Sequence, residues 1–205
     1  MKMTATLYDA KVLGGIGSIF VLLGVVPNVG WILGIAGLVM ILLAIYDISK
    51  AVNERKIYDN MLKAIAFGVG ALAVGAVTVV SVVSKVLSVV SFVGGKFVLS
   101  SGIAVGSWLG IIGIAAVGFI AVEALLIVSA VFVRRTYDVL GNKLNVGRFK
   151  TAGLLYLIGA ATTVVGVGFA LIFVAEILMV LSFFSIRSEQ QLQAGVLQTP
   201  ATPLG

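Results

Sequence analysis

Trp108-Leu109-Gly110-Ile111-Ile112-Gly113-Ile114-Ala115-Ala116-Val117-Gly118-Phe119-Ile120-Ala121-Val122-Glu123-Ala124-Leu125-Leu126-Ile127-Val128-Ser129-Ala130-Val131-Phe132-Val133 carries a single charged side chain, Glu123, and ends against Arg134-Arg135. A helix needs roughly 20 predominantly apolar residues to cross the about 30 Å of a bilayer's hydrocarbon core, so this stretch reads as a membrane span. Outward from it, similar apolar runs recur at about 12–26, 31–46, 64–84, 152–165 and 167–185. They predict an all-α integral membrane fold, six transmembrane helices arranged as three hairpins. Of the 14 Lys and Arg residues, all but Lys85 and Lys96 fall on one side of this alternation. Cytoplasmic loops near membrane ends carry the excess of Lys and Arg, so both termini and both large charged loops are expected in the cytoplasm.

Composition agrees. Hydrophobic residues make up 60% of the chain, charged residues 11%, and the mean hydropathy is +1.21; a soluble domain lies far from this balance. The pI near 9.7 would suggest nucleic acid in a soluble protein, but here the positive charge lies beside anionic headgroups. The expected surroundings are therefore the lipid bilayer and other membrane subunits or a second copy of the chain, with no nucleic acid. The chain has no Cys and no His, which removes disulfides, thiolate chemistry, the commonest metal ligand and the usual near-neutral proton shuttle. No catalytic residue, cofactor site or metal site is expected, and an enzyme is not.

Residues 1–187 are read as one transmembrane domain and 188–205 as a polar, disordered cytoplasmic tail. The first and last hairpins have short arms and uncharged turns at Pro27-Asn28-Val29-Gly30 and Gly166-Val167-Gly168. A re-entrant first pair is the alternative to two full spans there. Although Lys2 and the run to Val26 resemble a signal peptide, no small-residue cleavage site follows and another span begins at once, so the segment is kept. Laying Lys150 on Lys11 also aligns Gly153 with Gly14, Ile158 with Ile19, Val164-Val165 with Val25-Val26, Ala175 with Ala36, Met179 with Met40 and Ser188 with Ser49, which suggests a repeated hairpin unit in one orientation. The outer connector 85–107 is Ser- and Val-rich around Phe92-Val93-Gly94-Gly95-Lys96-Phe97. It is open to two readings: a short β-hairpin, or continuation of the third helix to about Phe92.

Leu13-Gly14-Gly15-Ile16-Gly17-Ser18, Phe149-Lys150-Thr151-Ala152-Gly153-Leu154-Leu155-Tyr156-Leu157-Ile158-Gly159-Ala160 and Phe183-Phe184-Ser185-Ile186 together resemble an archaeal membrane family catalogued as the domain of unknown function nine-nine-six. The resemblance covers about Lys11 to Ile186 and is weakest in the outer connector. It implies an archaeal cell membrane and supplies no activity, ligand or catalytic residue.

Three features carry functional readings. Each Asp follows a Tyr, at Tyr8-Asp9, Tyr46-Asp47, Tyr58-Asp59 and Tyr137-Asp138, each at a predicted cytoplasmic membrane boundary. Tyr suits the aromatic belt, and each Asp has a basic neighbour at helical reach, such as Lys50 for Asp47, Lys63 for Asp59, and Arg134 and Arg135 for Asp138. The sharper reading adds Arg55, Lys56, Lys143, Arg148 and Lys150 as a cytoplasmic surface for a partner or anionic lipid. Glu123 and Glu176 lie near the middle of their spans, where ionisation is costly and an acidic residue is a functional-site candidate. A neutral carboxylic acid there can donate to Ser129, Thr162 or Thr163. Either the two carboxyls meet and bind a proton or cation during transport, or each glues helices together. Finally, Gly30 with Gly34, Ala71 with Gly75, and Gly102, Gly106 and Gly110 stand four apart, a spacing that lets helix backbones approach closely within the chain or between chains. On these grounds the expected role is a non-catalytic accessory or structural subunit, or a self-assembling scaffold; the alternative is a small proton- or cation-coupled transporter.

Overall fold

Two left-handed asparagines decide where the charged helices stop. Helix α2 (Gly30–Ala51) is followed by Asn53 at φ 50°, and helix α4 (Val105–Lys143) by Asn145 at φ 53°. The Glu54 N–H donates to the Ser49 carbonyl at 2.9 Å and the Val146 N–H to the Gly141 carbonyl at 3.1 Å. That six-to-one bond across a left-handed residue is the Schellman closure of a helix C-terminus, and Asn tolerates the conformation because its short side chain is compatible with positive φ. New helices begin at once: α3 (Arg55–Val89) after the first turn and α5 (Gly147–Ala161) after the second.

In this computed structural model the described residues are 7–93, 96–99 and 105–186. Lys2, Gly94, Gly95, Gly102, Arg187, Ser188 and the tail 188–205 lie outside them. The remaining helices are α1 (Leu7–Leu22) and α6 (Val167–Phe184). Strands β1 (Val90–Val93) and β2 (Lys96–Leu99) pair antiparallel, with Val90 opposite Leu99 and Val93 opposite Lys96. Helix α3 thus runs four residues past Lys85 before the strand begins.

The long charged loops expected between the second and third and between the fourth and fifth spans are instead helix ends joined by three-residue turns, 52–54 and 144–146. Polar residues do not end a helix; what ends one is backbone chemistry. Within these stretches, ion pairs one turn apart, Arg55–Asp59 and Arg134–Asp138, both at 3.7 Å, suit helical continuation. Five helical segments are long and apolar enough to cross a membrane: Leu7–Val25, Gly30–Ala51, Arg55–Ser88, Trp108–Lys143 and Val167–Phe184. Helix α5 is not among them. At 15 residues it is about 22 Å long, shorter than the hydrocarbon core, and Arg148 and Lys150 occupy its first turn.

Contacts divide the chain into two units, Met1–Lys63 with Ala130–Gly205, and Ala64–Ser129. In the first, α1 packs on α2, α5 on α6, and α1 on α6. Its core gathers Ile41, Ile45 and Ile48 of α2, Ile57 of α3, Tyr137 and Leu140 of α4, Phe149 of α5, and Phe183 and Ile186 at the end of α6, all buried. Ring centroids of Tyr137 and Phe149 are 5.9 Å apart, and Phe149 meets Phe183 edge-on at 5.2 Å and 89°, an arrangement that aligns the ring edge with the partner's face. The two outer hairpins are built alike: each first helix ends in a 3₁₀ turn (Leu23–Val25, Thr163–Val165), and each turn contains one left-handed residue, Asn28 or Gly166.

The second unit joins the rest of α3 to the first part of α4. The Ser129 hydroxyl donates to the Ala64 carbonyl at 2.8 Å. A methyl on Gly118 would overlap the Thr78 side chain, and one on Gly75 would touch Val122 at 3.7 Å. Most of its apolar surface is open, including Leu72 at 74% and Val117 at 69% exposure.

Candidate functional site

Helix α6 turns one face inward, and that face carries the buried residues Ala175, Glu176, Met179, Ser182 and Phe183. Their spacing is a helical stripe, so Glu176 is held in the packing surface rather than beside it. Only 9% of Glu176 is exposed, and its Oε2 is buried without a hydrogen-bond partner among the described residues. The hydroxyls of Tyr137 on α4 and Tyr156 on α5 lie within electrostatic reach of the carboxyl. Tyr137 Oη donates to Met179 Sδ at 2.8 Å. A phenol of α4 and a thioether of α6 therefore meet one turn along from the carboxyl.

Glu123 is half-buried and belongs to the second unit, whereas Glu176 belongs to the first. Of the hydroxyls expected to accept from these carboxyls, Ser129 donates its own proton to the Ala64 carbonyl, Thr162 to the Ile158 carbonyl at 2.8 Å and Thr163 to the Ala160 carbonyl at 2.8 Å.

The Tyr-Asp pairs separate into different roles. Tyr137 is 1% exposed and sits in the aromatic core, so it is no part of a docking surface; neighbouring helical residues point about 100° apart, and Asp138 takes the outward side with Arg134. Tyr46 and Tyr58 meet edge to face at 5.1 Å across the α2–α3 turn, and Lys50 Nζ stands 4.0 Å over the Tyr46 ring. Asp59 pairs with Arg55 rather than with Lys63, whose ammonium lies 5.6 Å from the Phe132 ring centroid. Asp47 feels the Lys50 charge. Arg55, Lys56, Arg135, Lys143, Arg148 and Lys150 are all exposed.

At the same end an open cavity of about 540 Å³ is lined by residues including Val52, Lys143, Asn145, Arg148, Ser185 and Ile186. Its cations are partly engaged: Lys143 Nζ is 3.3 Å from Glu54 Oε2, and Arg148 Nη1 donates to Ser185 Oγ at 3.1 Å. Nearby, Lys11 Nζ donates to the Ile186 carbonyl at 3.0 Å, where a cation favours the carboxyl end of α6. Among the described residues no three Asp or Glu side chains converge as a metal site would require.

The glycines divide by partner. Gly30 packs on the Gly24 carbonyl, and Gly34 would bring a methyl within 3.8 Å of Gly24 Cα, so this pair closes the first hairpin. Gly106 and Gly110 meet nothing within 4 Å, and neither does Gly113. Sequence spacing missed Gly113, and it also missed the cross-helix pairs Gly17 with Gly37 and Gly159 with Gly168, whose members touch each other's backbone. Tyr156 and Met179 were missed as neighbours of Glu176; Met179 was legible at three residues' distance, Tyr156 only through the fold.

Residues 33–177 match the family described as "Protein of unknown function (DUF996)". An uncharacterised protein of Methanocaldococcus jannaschii is 36% identical over 183 residues, covering 89% of this chain and 94% of that one. No solved structure matches the chain. Five of its helices are long and apolar enough to cross a bilayer, and by this kinship in sequence the chain belongs to that family of unknown function.

Proposed function

We propose that the chain is a non-catalytic, six-pass protein of the archaeal cell membrane, with both termini cytoplasmic, that serves as a structural subunit or self-assembling scaffold. The observation that carries this reading is the glycine stripe of α4. Gly106, Gly110 and Gly113 recur at i, i+4 and i+7, on one side of the helix. The side that meets α3 is marked by Gly118, Val122 and Ser129, and at about 100° per residue it lies more than a quarter-turn round from the stripe. Gly70 of α3 is likewise open. Lipid tails gain little from a flat glycine surface, whereas a second helix backbone can approach it closely. In this reading α5, with its basic first turn, completes the sixth pass together with the 3₁₀ turn that follows it.

Native mass spectrometry of protein extracted gently from its own membrane tests the proposal. Assembly into a homo-oligomer or a defined heteromer is expected, and Gly110→Leu should dissociate it while leaving the monomer folded. A lone monomer in every mild detergent, or an assembly indifferent to Gly106→Leu and Gly110→Leu, overturns it.

A further inference from the structure

Glu176 stands in a site whose polar groups are matched for a proton. The carboxyl is buried, Oε2 lacks a partner, and no ion pair reaches it among the described residues. Tyr137 of α4 lies within electrostatic reach of it, with its hydroxyl proton committed to Met179 Sδ. From α5, Tyr156 lies within the same reach. Helix α1 closes the remaining side of α6 with Gly14 and Gly15 against the rings of Phe183 and Phe184, and its buried positions, Ala10, Gly14, Gly15, Gly17 and Ser18, bring no titratable group. An ionised Glu176 would bury a charge with no cation among the described residues to offset the lost hydration. Hard cations collect six or more oxygens, which one carboxyl and two phenols do not supply.

We propose that Glu176 is a proton-binding site: buried in the packing face of α6 with no counter-ion among the described residues, the carboxyl holds one proton and is neutral in the folded protein. The site is independent of the α4 glycine stripe, so it stands or falls separately from the assembly.

The test is labelling of the purified full chain in mild detergent with dicyclohexylcarbodiimide, which adds to protonated carboxyls in apolar surroundings, followed by peptide mass mapping. The carboxyl O–H adds across one C=N bond of the reagent and rearranges to a stable acylurea, so the whole reagent is retained. An adduct at Glu176 is expected, diminishing as the pH is raised and falling roughly tenfold per unit once the proton is lost. Glu176→Gln, a neutral donor of the same shape, should remove that adduct and keep the unfolding midpoint within about 3 °C, less than about 1 to 1.5 kcal/mol in a chain of this size. No adduct at Glu176 on the natively folded chain at any pH overturns the proposal. So does protection of Glu176 by sodium or potassium at constant pH, which would identify a metal cation as the occupant. Because labelling is read on the unaltered protein, failure of the Gln variant to fold does not remove the decision.

Discussion

Gly14→Ala places a methyl inside the ring of Phe183, which would meet the new carbon at Cδ1, Cε1 and, at 2.8 Å, Cγ. Phe183 has nowhere to retreat: it is 0% exposed and its ring already stands edge-on to Phe149 at 5.2 Å. Forcing an extra carbon into a packed core costs about 1–3 kcal/mol, and disturbing the aromatic pair adds about 0.5–1.5 kcal/mol. Against this, Ala is favoured over Gly inside a helix by up to about 1 kcal/mol. The net expectation is a loss of about 0.5–3.5 kcal/mol, or roughly 1–14 °C in unfolding midpoint for a chain of this size, read by circular dichroism during heating in detergent. Gly147→Ala is the control, since a methyl there meets nothing within 4 Å and the residue lies outside the α4 stripe; its midpoint should hold or rise. The double variant Gly14→Ala with Phe183→Leu should lose at least about 1 kcal/mol less than its two single changes imply together, because the smaller side chain vacates the space. Strict additivity of the two changes, or equal effects of alanine at positions 14 and 147, would refute the packing account.

Two further outcomes follow from the helix ends. Asn53→Ala and Asn145→Ala should each cost about 1–2 kcal/mol because a Cβ-bearing residue without the asparagine amide is strained at positive φ, while Asn53→Gly and Asn145→Gly should match or exceed the native midpoint; glycine variants as damaged as the alanines would exclude backbone strain as the cause. Lys143→Ala should remove about 0.2–1 kcal/mol at low salt, its partner Glu54 being 3.3 Å away and both side chains partly exposed. The difference should shrink in concentrated salt, and a loss unchanged by salt would show that the lysine stem, not its charge, is what matters.

Much of the architecture was legible because it rests on local sums. The run from Trp108 to Val133 is apolar enough to span whatever it packs against, and the same held for four further helices. The asparagines that stop α2 and α4 were in plain view, yet charge density around them was read as loop. Arg55, Asp59, Arg134 and Asp138 are as compatible with helix as with loop, and only the backbone closure at Asn53 and Asn145 separates the two. Glu176 stood out as a charge inside an apolar run, but its companions did not: Tyr137 looked like an interfacial anchor through its neighbour Asp138, and Tyr156 looked like one more apolar residue.

By itself, then, the sequence determined a helical chain with several runs apolar enough to cross a membrane, since transfer into lipid acts on each residue according to its own chemistry. The tertiary structure alone decided which glycines are filled and which stand open, that Tyr137 is core, and that Glu176 is buried within electrostatic reach of two phenols. Such contacts join residues that are distant along the chain, and spacing along one helix gives the direction in which a side chain leaves but not what it meets.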